Sequence, residues 1–237
     1  MAKSTGGTPK NPLPPTDAPK VAMPPLMEAR SVVSNAPATF VIEGYLRLGT
    51  HDTPIQLSTS AKRIAITGPS GVGKSTFLRA VAGLVKTSGQ VRFRDQFWEA
   101  PGTFVPPWQR GIGWVPQDPT LFPHASVLEN LNWTSDIGAI HALGLEHLLE
   151  RRTRWLSGGE RQRVALGRAL GAAKRMLMLD EPFSALDERL RISISQWLTE
   201  VTAARDLPLI LVSHDARDVA AIAEEVFVMT PQGLRRA

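Results

Sequence analysis

The sequence predicts an α/β fold, a mixed β-sheet with flanking helices, and two observations carry this prediction. First, three short apolar runs have the composition of buried strands, at residues 64–67, 176–179 and 209–212. Second, each run is followed by a polar or glycine-rich loop and then by helical periodicity, as in residues 76–84 after the first run. Because open α/β sheets bind ligands beyond the carboxyl ends of their strands, the functional residues are expected there.

The overall composition is that of a globular domain. The chain has 237 residues, of which 43% are hydrophobic and 21% charged, and this length suffices to bury a core. Its net charge of +5 is scattered rather than clustered, so we expect no nucleic-acid partner, and the charge agrees with a position beside a membrane. The absence of cysteine excludes disulfides, thiolate metal sites and thiol nucleophiles.

The first 37 residues differ from the rest in their proline content. They hold eight of the 19 prolines, which block helix and sheet interiors. We predict a flexible, partly polyproline-like arm over residues 1–37, with a possible short strand at 29–33, followed by one domain over residues 38–237. No apolar run reaches the roughly 18 residues of a membrane span, and no signal peptide is visible.

The strongest motif is a glycine-rich loop between the first buried strand and its helix. It fits the pattern G-x-x-x-x-G-K-[ST], in which backbone N–H groups surround phosphate oxygens and the helix N-terminus adds partial positive charge. Lys74 is predicted to reach the β- and γ-phosphates of a nucleotide, and the Ser75 hydroxyl to bind Mg²⁺. The predicted phosphate-binding residues are Gly68, Pro69, Ser70, Gly71, Val72, Gly73, Lys74, Ser75 and Thr76.

Polar side chains follow the other buried strands. Asp180 and Glu181 end the run at 176–179, where an aspartate can hold Mg²⁺ and a glutamate can polarise an attacking water. His214 follows the run at 209–212, where it can contact a γ-phosphate or orient Glu181. Gln117 comes just past a further predicted strand, in the stretch 112–116, and its amide can touch Mg²⁺ or the attacking water.

A second predicted helix start carries two adjacent glycines. Ser157 as N-cap and Glu160 three residues later form a capping box, which is the purely structural interpretation. Gly158 and Gly159 also leave N–H groups open to a phosphate. Ser157, Gly158 and Gly159 are therefore candidates for a second anion-binding end, which would make the nucleotide site composite.

Several further elements complete the prediction. Residues 40–48 alternate as a strand, with residues 54–58 as its partner, and residues 126–132 begin a helix with a Ser126–Glu129 capping box. Residues 140–152 have the spacing of an amphipathic helix, on which two histidines are assigned to the solvated face. Tyr45, the only tyrosine, either stacks on an adenine ring or simply packs in its strand.

Taken together, the motifs resemble the ATP-binding subunits of ABC transporters. GPSGVGKST resembles the Walker A loop, Gln117 the Q-loop glutamine, LSGGE the signature motif, MLMLDE the Walker B strand with its glutamate, residues 184–187 the D-loop, and His214 the switch histidine. Residues 106–110 and the run GWVPQDPTLFPHASVLENL further resemble importer subunits of the molybdate class. Two departures are Glu160, where glutamine is commoner, and an adenine-stacking position that falls on either Tyr45 or Leu48.

The resemblance implies a fold and a mechanism. It implies a P-loop NTPase core with an antiparallel β subdomain and a short α-helical subdomain at roughly residues 118–165. Two copies would pair head to tail and hold ATP between the Walker A loop of one and the signature motif of the other, with Mg²⁺ held by Ser75, Gln117 and Asp180. Glu181, His214 and Gln117 would be catalytic, by positioning and electrostatics.

The resemblance also implies the cellular setting. The expected partners are transmembrane permease subunits and a solute-binding protein, with the chain in the cytoplasm, peripheral on the inner face of the cell membrane. The expected function is ATP hydrolysis that powers import of a small solute or oxyanion such as molybdate. The alternatives are a soluble ATPase of the same class, acting in DNA repair or on ribosomes, and a binding module without activity.

Overall fold

The computed structural model describes residues 38–131 and 137–237, and for Ile137 the backbone alone. The predicted arm over residues 1–37, with its possible strand at 29–33, lies outside the described residues.

The first part of the domain forms an antiparallel sheet. Its strands are β1 (Phe40–Leu48), β2 (His51–Thr59), β4 (Gln90–Phe93), β5 (Gln96–Ala100) and β6 (Thr103–Phe104), in the order β2-β1-β4-β5-β6. The long β1–β2 hairpin pairs Phe40 with Thr59 and Leu48 with His51. The predicted partner strand at residues 54–58 is thus confirmed and is longer than predicted.

The second sheet carries the buried runs. Its strands are β3 (Arg63–Thr67), β7 (Ile112–Val115), β8 (Met176–Asp180), β9 (Leu209–Val212), β10 (Glu225–Thr230) and β11 (Gly233–Arg236). Their order is β11-β10-β3-β9-β8-β7, with every pair parallel except β10–β11. The carboxyl ends of β3, β8 and β9 therefore meet at one edge, as the alternation of strands and helices predicted.

Helices connect and cover these strands. They are α1 (Lys74–Ala82), α2 (Val127–Leu131), α3 (Ile137–Ala142), α4 (Gly158–Ala172), α5 (Glu188–Ala204) and α6 (Ala216–Ile222), with short 3-10 turns at Pro107–Gln109, Glu146–Leu148 and Thr153–Trp155. None of the helices within the described residues is both long and apolar enough to cross a membrane.

The mixed sheet separates two apolar layers. Along β9, Ile210 and Val212 pack into the cluster that contains the α1 residue Phe77. The alternate residues Leu209 and Leu211 pack into the cluster on the other side. Since successive side chains of a strand point to opposite faces, a continuous apolar run is what a sheet covered on both faces requires.

One predicted helix is wrong. Residues 140–152 do not form a single amphipathic helix, because α3 ends at Ala142 and Gly144 takes a left-handed conformation with φ 58°. The chain then makes a 3-10 turn and an isolated β-bridge between Ser126 and Arg152. The apolar residues of this stretch are still buried: Leu143, Leu145 and Leu148 pack in the core, but they lie in turns and not on one face of a helix.

Candidate functional site

The glycine-rich loop lies between β3 and α1, as predicted. At Gly68, φ is 139° and an added Cβ would come within 2.3 Å of the Met229 carbonyl oxygen, so this position requires glycine. The Lys74 ammonium donates to the carbonyls of Gly68 at 2.8 Å and Pro69 at 2.9 Å, which places its charge over the loop. No side chain caps the start of α1, whose N-terminal N–H groups therefore remain available to an anion.

Leu48, rather than Tyr45, lies against this loop. The Leu48 side chain closes over Gly73, where an added Cβ would come within 2.5 Å of its methyl group. Tyr45 lies on the opposite face of β1, because its residue number differs from that of Leu48 by an odd number. The side chain nearest the loop at this end of β1 is therefore aliphatic.

Asp180 ends β8 beside the loop and is only 2% exposed. Burial raises the pKa of its carboxyl group, and the neighbouring Glu181 adds to this effect, while a hydrogen bond with Ser75 and the charge of Lys74 oppose it. The site thus holds a carboxylate whose charge the protein alone compensates incompletely. A divalent cation would relieve that cost, which supports assigning Asp180 to a metal.

Glu181 has an unusual backbone conformation for a glutamate. Its φ is 51°, in the left-handed region, at a cost of about 1 kcal/mol or more. The Glu181 N–H donates to the Val212 carbonyl at 2.9 Å, which ties the residue after β8 to the carboxyl end of the neighbouring strand β9. As a result, a carboxylate oxygen of Glu181 lies 2.8 Å from Nδ1 of His214, which β9 delivers to the same edge.

The hydrogen bond and the charge of Glu181 raise the pKa of the His214 imidazole. The two side chains differ in exposure, since Glu181 is 13% exposed and His214 is 74% exposed. The Glu181 carboxylate therefore lies inside the site, and the His214 imidazole lies at its rim, exposed to solvent.

A cleft of about 290 Å³ brings most of the predicted residues together. Its lining comprises Ser70, Gly71, Gly73, Lys74, Ser75, Thr76, Gln117, Asp180 and Glu181. Val72 contributes only its backbone to the loop, because its side chain is buried in the core. Three oxygen donors suited to Mg²⁺, from Ser75, Gln117 and Asp180, thus line one cleft.

Ser157, Gly158 and Gly159 are not among the residues that line this cleft. They form the start of α4, where the Ser157 hydroxyl accepts from the Glu160 N–H and the Glu160 carboxylate accepts from the Ser157 N–H. This confirms the predicted capping box. The backbone hydrogen bond from Ser157 lowers the pKa of Glu160. Ser157 and Gly158 are exposed, so a second molecule can reach them.

Sequence reasoning missed the charged residues that surround the His214 loop. Arg191, in the first turns of α5, lies 2.5 Å from a carboxylate oxygen of Asp215 and 3.4 Å from one of Asp218. Burial raises the pKa of Asp218, whereas Arg217 and Arg191 lower that of Asp215. In the sequence these are ordinary charged residues at two helix starts, and no motif marked them.

Comparisons with known proteins identify the family of the chain. A family model described as "ABC transporter" matches residues 54–184. The molybdenum import ATP-binding protein ModC of Rhodopseudomonas palustris is 41% identical over 198 residues, or 77% of this chain and 52% of that protein. The molybdate/tungstate import ATP-binding protein WtpC of Archaeoglobus fulgidus is 40% identical over 195 residues, or 77% of this chain and 80% of that protein. The chain thus spans about half the length of the ModC relative that it matches.

Two solved structures share the fold. A nucleotide-free ATP-binding cassette from an ABC transporter superposes with a TM-score of 0.70 at 22% identity, over 83% of this chain and 89% of that one. A dimeric bacterial ABC transporter cassette superposes with a TM-score of 0.69 at 23% identity, over 84% of this chain and 97% of that one. With the family model matching more than half of the sequence, the chain belongs to the ABC transporter family.

Proposed function

We propose that this chain is the ATP-hydrolysing subunit of an importer for a small oxyanion such as molybdate. The observation that carries the ATPase assignment is the Glu181–His214 pair, which stands 2.8 Å apart at the edge of the cleft lined by Lys74 and Asp180. The names of the relatives, which are molybdenum and molybdate/tungstate import proteins, support the choice of solute.

The phosphates of ATP bind at the start of α1. The uncapped N–H groups and the Lys74 ammonium supply positive charge to the phosphate oxygens. Ser75, Gln117 and Asp180 hold Mg²⁺ through oxygen atoms. When bound, this cation offsets the charge of the phosphates during transfer of the γ-phosphoryl group to water.

Glu181 and His214 act on the attacking water. The Glu181 carboxylate accepts a hydrogen bond from the water and holds it in line with the γ-phosphate, while His214 keeps the carboxylate turned toward the cleft. The Glu181 carboxylate is preorganised, since the backbone of Glu181 is fixed by its hydrogen bond to Val212. Catalysis is therefore assigned to positioning and electrostatics, without a covalent intermediate.

The site is completed by a second copy of the chain. Ser157, Gly158 and Gly159 lie outside the cleft, the first two of them exposed, and in a head-to-tail homodimer they bind the γ-phosphate held by the partner. The dimeric state of the structurally similar cassette supports this arrangement. Transmembrane permease subunits and a solute-binding protein would complete the importer, with this chain at the inner face of the cell membrane.

The first experiment measures ATP hydrolysis and ATP binding on three proteins. Wild type is expected to hydrolyse ATP in the presence of Mg²⁺. Glu181→Gln should bind ATP normally while turnover falls roughly 100-fold or more, the scale expected for an acid–base group. Lys74→Ala should lose binding itself, because its ammonium is the charge placed over the loop. Near-normal turnover of Glu181→Gln would contradict the role assigned to Glu181.

The second experiment tests the solute. The chain is co-expressed with its permease, reconstituted into liposomes, and supplied with ATP on the side of this subunit and with molybdate and a matching binding protein on the other. Molybdate uptake that depends on ATP is expected from wild type and is expected to be absent with Glu181→Gln. Uptake of sulfate or phosphate in preference to molybdate would overturn the choice of solute and leave the ATPase assignment intact.

A further inference from the structure

The position of His214 is set by its backbone. Its imidazole is 74% exposed and contacts Glu181, so the side chain lacks a packed environment that would hold it. The residues on either side of it are, by contrast, held by hydrogen bonds. The Ser213 hydroxyl donates to Asp218 at 2.9 Å, and the Asp215 N–H donates to the same hydroxyl at 3.1 Å. Whatever fixes Asp215 and Asp218 therefore fixes the imidazole.

Arg191 lies against both of these carboxylates. Its guanidinium donates a hydrogen bond to Asp215, one residue after the histidine, at 2.5 Å, and Asp215 also accepts from Arg217. With Asp218, four residues after the histidine, Arg191 forms an ion pair at 3.4 Å that is not a hydrogen bond. The arginine side chain is 15% exposed, and Asp218 is 4% exposed. These ion pairs are thus shielded from water. The contribution of a shielded ion pair depends mainly on the geometry of its contacts.

Arg191 belongs to α5, whose N-terminus is fixed by a cap. Asp187 caps α5 by accepting from the Leu190 N–H at 2.9 Å, and the Arg191 N–H donates to the Asp187 carbonyl. A second, more exposed link joins Glu188 to Arg217 at 2.9 Å. The beginning of α5 is in this way tied to the loop that carries the histidine.

We propose that Arg191 is a positioning residue for ATP hydrolysis. By bridging Asp215 and Asp218, it holds the loop after β9 in the position from which His214 contacts Glu181. This inference rests on the proposed function, since it concerns the same reaction. Arg191 touches no substrate and acts through His214. A role in packing alone would predict loss of stability without a specific loss of turnover.

The test is a double-mutant cycle on ATP turnover. Arg191→Ala is expected to lower kcat about tenfold or more while KM for ATP changes less than about twofold, because the phosphate loop is untouched. In a His214→Ala background the same change should lower kcat little further, because both residues act as a unit. The proposal would be overturned if the kcat losses of the two single variants multiplied in the double variant. It would also be overturned if Arg191→Ala lost activity through a higher KM for ATP and not through a lower kcat.

Controls separate folding from positioning. Arg189→Ala, an exposed arginine two residues earlier on α5, should leave kcat unchanged. Arg191→Lys keeps the charge but cannot bridge two carboxylates with a fork, so it should fall between wild type and Arg191→Ala. If Arg191→Ala does not fold, Arg191→Lys carries the same cycle. Full activity of Arg191→Lys would contradict the need for a bridge.

A second readout does not require hydrolysis. The imidazole ¹⁵N chemical shifts of His214 in labelled protein report its contact with Glu181. Arg191→Ala and Glu181→Gln should each shift these signals, and Arg189→Ala should not. If wild type lacks ATPase activity, the proposed function fails while this test still decides whether Arg191 positions the histidine. Unchanged His214 signals in Arg191→Ala would overturn the inference.

Discussion

Asp180 shows at the scale of one residue how burial makes a charged group in the cleft unfavourable. The carboxylate is 2% exposed, and burial is the largest cause of its raised pKa. A raised carboxyl pKa means that the charged form is less stable in the folded protein than in the unfolded chain. At neutral pH the nucleotide-free protein therefore carries a penalty that a bound cation would remove.

We predict that Asp180→Asn stabilises the nucleotide-free protein. The gain should be on the order of 1 kcal/mol, or about 2–4 °C in Tm, because a neutral amide of the same shape no longer pays for a buried charge. The gain should be constant near pH 7 and vanish as the pH falls below about 4, where the wild-type carboxyl is protonated in both states. Scanning calorimetry at several pH values measures it.

The same substitution should cost function. Added Mg²⁺ and ATP should stabilise wild type more than Asp180→Asn, because the variant has lost the charged ligand. Asp52→Asn is the matched control, since its carboxylate is 55% exposed beside Arg47 and should show no gain. A lower Tm for Asp180→Asn in the absence of nucleotide would refute the account of the burial penalty.

The residues of the candidate site divide into those with a sequence signal and those without one. Lys74, Asp180 and Glu181 were predictable, because a phosphate loop and an acidic strand end have fixed spacing in the chain. Arg191 was not, because its role depends on which loop α5 packs against. Pairing between elements distant in sequence leaves no local pattern.

At the scale of elements, Arg110 joins three segments that lie apart in the sequence. Its guanidinium is fully buried and donates to the carbonyls of Val105, Trp98, Ala80 and Val81, the last two at the end of α1. It thereby caps the helix of the phosphate loop and ties it to β5 and to the segment that leads into β7. Burial lowers the pKa of this guanidinium.

We predict that Arg110→Lys lowers the free energy of unfolding by roughly 1–3 kcal/mol, although the charge is retained. An ammonium cannot reach four carbonyls arranged for a planar fork, and each one left unpaired in the core is costly. Urea unfolding measures the change. Arg47→Lys, at an exposed ion pair with Asp52, is the control and should change little. Equal effects at the two sites would contradict the capping role.

The elements also show where prediction from sequence succeeds. Strand β9 was predicted at its observed bounds, because a buried run between turn residues is a strong local signal. Strands β5 and β11 were missed. The buried residues of the first are adjacent instead of alternating, and the second closes a hairpin with one buried residue, so neither shows the alternation of a strand. The prediction of a helix at residues 140–152 was wrong because Gly144 interrupts the helix, although the apolar residues have helical spacing.

At the scale of the whole molecule, the cleft and the start of α4 are separate surfaces of one chain. Gly158 is exposed, and an added Cβ there would meet nothing nearer than 3.7 Å, the Cβ of Ala185. At Gly159, the same atom would come within 2.8 Å of the Ala185 carbonyl. The chain therefore tolerates a side chain at 158 and not at 159, which makes 158 the position at which to test the proposed dimer.

Glu181→Gln is expected to form a dimer when ATP is added, because ATP bound but not hydrolysed links the cleft of one copy to the start of α4 in the other. Gly158→Asp in this background should abolish the dimer. A carboxylate in the first turn of a helix is favourable for the isolated chain, but in the dimer it faces a phosphate of like charge. ATP affinity of the monomer should stay within about twofold, since the cleft is unchanged. Size-exclusion chromatography with and without ATP measures the dimer, and Gly158→Asn, with the same shape and no charge, should weaken it much less. If Gly158→Asp dimerises as well as Gly158→Asn, the start of α4 does not meet the nucleotide, and the composite site must be sought elsewhere on the surface.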